Sequence, residues 1–197
     1  GEERKAVFVY ENEVQKWLDL IRGQFLETTT DNLKLGAKKP PLPFSDSRLL
    51  RLLNHTFWFL PTISSCYAMR NLLNQNQNVF FHDYNIVVAA GKKAGLGVKA
   101  LEPVKVAMDN PLETKTITLS CGKLTTGVSV KPWTGIMILR NSSSPETYFQ
   151  AAFRVQTPWE IYNPDGLSPN KQEIIKRECY VFDFAPNRAL RQIADYS

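Results

Sequence analysis

Four short segments of the chain carry hydroxyls, amides and cations that could hold phosphate oxygens. In 56-TFWFLPTISSCYAMRNLL-73, Thr62, Ser64 and Ser65 follow an apolar run and precede an amphipathic one. Hydroxyls at that place, with the amides that open a helix, make an anion site. Lys123, Thr125, Thr126 and Gly127 fall together in 120-SCGKLTTGVSV-130. Threonine hydroxyls, and a glycine that lets the backbone come close, suit the phosphates of a nucleic-acid strand. Contacts of that kind position a strand and carry no sequence information. Asn141 and Ser142 in 140-RNSSSPE-146 could join them. Gln150 and Arg154 in 145-PETYFQAAFRVQ-156 are four residues apart, so on a helix they share one face. Helix capping is the competing role for the hydroxyls, and a solvated surface is the competing role for Arg154.

Other chemistries find little support. A phosphate-cradling P-loop needs GxxxxGK[ST], and the nearest segment, 91-GKKAGLG-97, lacks the Gly-Lys-Ser/Thr ending. Lys92 and Lys93 in it read as solvent-facing, and the turn as a flexible lead into a helix. The two histidines, His55 and His82, are not spaced with acids or thiols as zinc ligands are, so no metal is expected. His82-Asp83 without further ligands reads as a surface turn. Cys66, Cys121 and Cys179 are too scattered for a disulfide framework or a metal knuckle. Each is expected to act as a small buried hydrophobe in a reducing, cytoplasmic compartment. Trp58, Trp133 and Trp159 read as packing residues rather than platforms for bases.

The elements that must position these residues alternate. Strands are expected at 55–60, 86–90, 116–120, 135–139 and 178–184. Helices are expected at about 46–53, 66–75, 98–109 and 187–196, the third becoming regular near Leu101 because Pro103 sits inside it. Another helix starts at Ser144-Pro145-Glu146, with Ser144 as cap and Pro145 in the first turn, and runs to Arg154. The stretch 157–172 reads as irregular. Near-continuous apolar strands alternating with helices predict an α/β fold: a mainly parallel sheet covered on both faces. Ligands of such sheets sit beyond the carboxyl ends of the strands. The four phosphate-type segments fall at those ends or in the helices that follow them.

The first 45 residues read differently. Val14, Trp17, Leu18, Ile21 and Phe25 recur at helical spacing, and 36-GAKKPPLP-43 is a basic, Pro-rich connector. They predict a helical appendage at 1–45 and a main domain at 46–197. With 197 residues, 43% hydrophobic and 22% charged, the chain can bury a real core. Its longest apolar runs are too short to span a membrane, so no membrane partner is expected. The opening, 1-GEERKAVFVY-10, has no signal-peptide pattern and no initiator Met, which suggests a piece of a longer protein. A net charge of +5 is compatible with nucleic acid and does not require it.

The order of three segments resembles motifs IV, V and VI of superfamily-two helicases and translocases, and most of all the motors of type I and type III restriction enzymes. The strand, turn and helix of 56–73 resemble motif IV. Leu124 to Val130 fill motif V, with Ser129 where an acid is usual. Gln150, Ala151 and Arg154 fill motif VI, with Thr157 where a second arginine stands. The likeness covers roughly 46–184. It implies the second, C-terminal RecA-like lobe, a three-layer αβα sandwich. It also implies ATP and Mg²⁺ bound mainly by a first lobe outside this chain, DNA as partner, and possible nuclease or methyltransferase modules. Arg154 with Gln150 would then serve as catalytic residues. An arginine delivered to a transferring phosphoryl group contributes about 10³–10⁵ in rate. Thr62, Ser64, Ser65, Lys123, Thr125, Thr126, Gly127 and Asn141 would contact the nucleic acid. The chain alone would be inactive. The competing expectation is a non-catalytic DNA-binding or assembly module with the same fold, kept open by Ser129 and Thr157.

Overall fold

A computed structural model describes residues 5–24, 42–90, 97–121, 129–140 and 145–184, with the backbone alone at 97–98 and 145–148. Five strands make one sheet: β1 (His55–Phe59), β2 (Asn85–Val88), β3 (Thr116–Ser120), β4 (Gly135–Ile138) and β7 (Tyr180–Asp183). Their order is β2-β3-β1-β4-β7, and every neighbouring pair is parallel. All residues of β1, β3 and β4 are buried, the polar His55, Thr56, Thr116, Thr118 and Ser120 among them.

The pleat divides β1 between two cores. Trp58 and Leu60 face one side with Ile117, Leu119, Met137 and Leu139. That side is covered by α1 (Glu11–Ile21), α2 (Ser47–Leu52), α3 (Ile63–Leu73) and a 3₁₀ segment, Asn76–Asp83. Phe57 and Phe59 face the other side with Val87, Ile136 and Ile138, under α4 (Glu102–Met108) and α5 (Pro145–Phe153). The result is a three-layer α/β sandwich, consistent with the expected RecA-like class.

Within the described residues, strand positions match the expected ones to within two residues or less. Pro103 occupies the first turn of α4, where its missing N–H costs nothing, and a 3₁₀ segment at Gly97–Leu101 leads into it. Two expectations change. Residues 157–172 are not wholly irregular: β5 (Glu160–Tyr162) and β6 (Gln172–Ile174) pair antiparallel. These strands are three residues long and mostly exposed, so they leave no hydrophobic pattern. Nor is the first helix an appendage. Val14, Trp17, Leu18 and Ile21 are buried in the same cluster as Trp58 and Met69. The Trp17 ring meets Trp58 edge-on at 5.8 Å and Phe184 at 5.2 Å. Gln15 and Asn78 exchange two amide hydrogen bonds of 2.8 Å, and Asn71 Nδ2 donates to the Ala6 carbonyl at 2.8 Å. The Pro-rich connector up to residue 41, the Ser144 cap and the helix expected at 187–196 lie outside the described residues.

Candidate functional site

Topology picks out one crevice. The chain leaves β1 into α3 on one face of the sheet and leaves β4 into α5 on the other. β1 and β4 are neighbours, with Phe59 opposite Ile138. Connections that depart to opposite faces open a gap between adjacent carboxyl ends, and α/β sheets bind ligands there. The described groups at this gap are the α3 N-terminus and Leu139 and Arg140 after β4.

At the α3 N-terminus the capping role is realised. Thr62 Oγ1 accepts the Ser65 amide at 3.0 Å, and Ser65 Oγ accepts the Thr62 amide at 3.0 Å. Ser65 Oγ also donates to the Thr62 carbonyl at 2.7 Å and is buried. Ser65 is therefore corrected from a phosphate contact to half of a capping box, its hydroxyl consumed within the chain. Thr62 keeps a hydroxyl proton to donate and is half-buried, and Ser64 is exposed in the first turn. These two, with the opening amides of an 11-residue helix, remain able to face an anion.

After β4, the Arg140 guanidinium lies 5.3 Å above the Phe59 ring. Arg140 is half-buried, and no hydrogen bond or ion pair ties it among the described residues. Phe59 stacks along the strand on Phe57 at 6.4 Å, and the Arg154 guanidinium lies 5.5 Å above Phe57. Two arginines thus stand over two consecutive rings on one face of β1, one at the carboxyl tip and one nearer the strand's middle. Arg140 leaves a signal in the sequence as the cation that ends the strand 135-GIMILR-140.

Arg154 is 3% exposed, and burial pushes its guanidinium down to about 10. α5 stops at Phe153, and the chain closes with tight turns, Arg154 N–H to the Ala151 carbonyl at 3.3 Å and Val155 N–H to Ala152 at 3.4 Å. That tightening turns both Arg154 and Val155 toward the sheet. Phe149 and Phe153 take the outer face at 55% and 59% exposure. Gln150, one turn before Arg154, is half-buried.

Lys123, Thr125, Thr126, Gly127 and Asn141 lie outside the described residues. So do Lys92, Lys93 and Ser142. Trp58 and Trp133 are fully buried and Trp159 half-buried, as packing residues are. The cysteines divide: Cys66 is buried, Cys121 half-buried, and Cys179 exposed, which corrects its expected burial. His55 is structural. Its Nε2 faces the Pro111 carbonyl at 2.7 Å, an acceptor only, so Nε2 carries the proton and Nδ1 accepts from Thr116 Oγ1 at 2.9 Å. No helix among the described residues is long and apolar enough to cross a membrane.

The chain is 32% identical over 192 residues to a Mycoplasma pneumoniae protein described as "Putative type II restriction enzyme and methyltransferase RM.MpnORF110P C-terminus". The match takes in 96% of this chain and 24% of that relative, so the chain spans about a quarter of its length. No family model matches. Among solved structures, the C-terminal part of the Fun30 ATPase domain overlaps 93% of this chain and 54% of that one, at 12% identity. Its TM-score is 0.43, a likeness too loose to carry weight.

Proposed function

We propose that this chain is the C-terminal motor-lobe region of a DNA helicase or translocase in a restriction system. The observation that carries the reading is the 32% identity, across nearly the whole chain, to a relative described as a restriction enzyme and methyltransferase. The geometry supports it from a second side. The crevice between β1 and β4 gathers a capped helix N-terminus and an arginine, and no acidic side chain is described in contact with that arginine. Restriction-type partners, a first lobe and a nuclease or methyltransferase module, belong to the same proposal.

In this reading Thr62, Ser64, Lys123, Thr125, Thr126, Gly127 and Asn141 bind DNA phosphates, with Arg140 added to them. Affinity resting on such contacts falls steeply with salt. Arg154 and Gln150 serve the nucleotide. Bound ATP with Mg²⁺ supplies a phosphoryl group whose transfer to water releases the energy for movement. Arg154 contributes a cation, kept in a low-dielectric site where its charge acts strongly. Phe57 holds that guanidinium until the phosphate is in place, and Gln150, four residues earlier, orients beside it.

The test is DNA-stimulated ATPase of the protein that carries this chain together with a first lobe. Arg154→Ala is expected to lower kcat by about 10³-fold or more at saturating DNA, and Arg154→Lys by less. An unchanged kcat would overturn the catalytic role.

The burial of Arg154 favours a second reading, in which it packs α5 on the sheet of a non-catalytic DNA-binding or assembly module. Arg154→Met separates the two, since it keeps the stem's packing and removes the charge. Retained ATPase in that variant supports packing alone, and lost ATPase with an unchanged melting temperature supports catalysis.

A further inference from the structure

A cavity of about 120 Å³ opens at the amino edge of the sheet, the edge away from the crevice described above. Asn54 and His55 at the start of β1, and Pro132 and Thr134 ahead of β4, form one part of it. Trp159 and Ile175, at the base of the β5–β6 ribbon, form another, and the Ile175 N–H donates to the Trp159 carbonyl at 2.9 Å. With Leu52 and Leu112 the walls are mostly apolar.

The polar groups of the cavity divide in two. The His55 Nε2 proton goes to the Pro111 carbonyl and the Thr134 hydroxyl to the Leu52 carbonyl. The Arg51 guanidinium, the Asn54 amide and the Trp159 indole line the same space, and among the described residues no hydrogen bond or ion pair engages any of these three side chains. No Asp or Glu lines the cavity among the described residues. Uncommitted donors beside apolar walls, with no acid to answer the cation, suit an anion joined to an apolar group. A cavity of about 150 Å³ holds benzene, so this one takes a single ring or a branched alkyl group of like size. A DNA phosphate has no apolar part to fill it.

We propose that this cavity is a binding site for a small organic carboxylate that carries one aromatic ring or one branched alkyl group. The apolar part lies against Leu52, Leu112 and Trp159, and the carboxylate accepts from Arg51, which is exposed at the solvent end, and from Asn54. Such a ligand ties the start of β1 to the base of the β5–β6 ribbon. The site is separate from the proposed DNA and nucleotide contacts and does not rest on the motor reading.

The test uses benzoate as probe, benzamide as its neutral isostere and inorganic phosphate as a bare anion. Each is titrated into the protein while the tryptophan indole N–H signals are followed by NMR. Trp159→Phe assigns the Trp159 signal, and the fully buried Trp58 serves as reference. The expected result is a saturable shift of the Trp159 signal by benzoate, with a Kd of about 1 mM or tighter and Trp58 unmoved. Benzamide should bind at least about tenfold more weakly, since it lacks the charge. Arg51→Gln, at an exposed position and with its melting temperature checked against the wild type, should bring benzoate down to the affinity of benzamide. A Trp159 signal unmoved by benzoate on the order of 10 mM would overturn the site. Benzamide binding as tightly as benzoate would overturn its anionic half, and phosphate binding as tightly would overturn its apolar half. Unchanged benzoate affinity in a folded Arg51→Gln protein would overturn the carboxylate's placement.

Discussion

His55 opens β1 with both ring nitrogens committed, one to the Pro111 carbonyl and one to Thr116 Oγ1. Burial lowers its proton affinity below the ordinary 6.5. In the unfolded chain the ring regains that ordinary value, so below about pH 6.5 the unfolded state binds more protons than the folded one. The stability due to neutral His55 is therefore complete above pH 6.5 and is lost as the pH falls below it. Melting between pH 7 and pH 5 should show this loss, at most about 1.4 kcal/mol per pH unit for one group. His55→Gln should start lower at pH 7 and fall less over the same interval. Equal slopes in the two proteins would exclude His55 as the source. Its partners were not legible from spacing, because Pro111 and Thr116 reach it only once β1 and β3 are paired.

α3 shows how one element serves two roles. Its capping box satisfies backbone amides that the helix cannot bond itself, and Thr62→Ala should cost about 1 kcal/mol of stability. The phosphate role predicts something the cap does not. Thr62→Asp preserves an N-cap acceptor, and so stability, while placing a negative charge where DNA phosphate is proposed to lie. Its DNA affinity should fall several-fold at low salt, and the gap should narrow as salt rises. If Thr62→Asp binds DNA as the wild type does, Thr62 is a cap and nothing more. α5 gives the converse lesson. Its start and length were readable from Pro145 and the apolar spacing. The direction of Arg154 was not, because it depends on two tight turns at the helix end rather than on the i, i+4 rule.

Across the fold, the decisive feature is the layer made by α1. A sheet with both faces apolar needs cover on both, and without α1 the face carrying Trp58 and Met137 would stand partly in water. Trp17 is the anchor of that layer, set edge-on against Trp58 and Phe184. Trp17→Ala should cost about 3–5 kcal/mol. Measured by thermal melting, that corresponds to a drop on the order of 10 °C in a chain of this size. Removing residues 1–24 should leave a product that exposes the Trp58 face and aggregates. A truncated chain that stays folded and monomeric would restore the view of α1 as a separate appendage.

Local signals were enough for the five strands of the parallel sheet and for the main helices. Short runs rich in apolar and β-branched residues read as buried strands, and their alternation with helices leaves a parallel sheet as the economical arrangement. Hydroxyls and cations beyond strand ends were visible for the same reason, since strand ends are local. Packing decided the rest, because it joins residues that no spacing rule relates. It drew α1 into the core and stood Arg140 and Arg154 over Phe59 and Phe57. Periodicity reports which face of an element is apolar, and it cannot report which other element that face will meet.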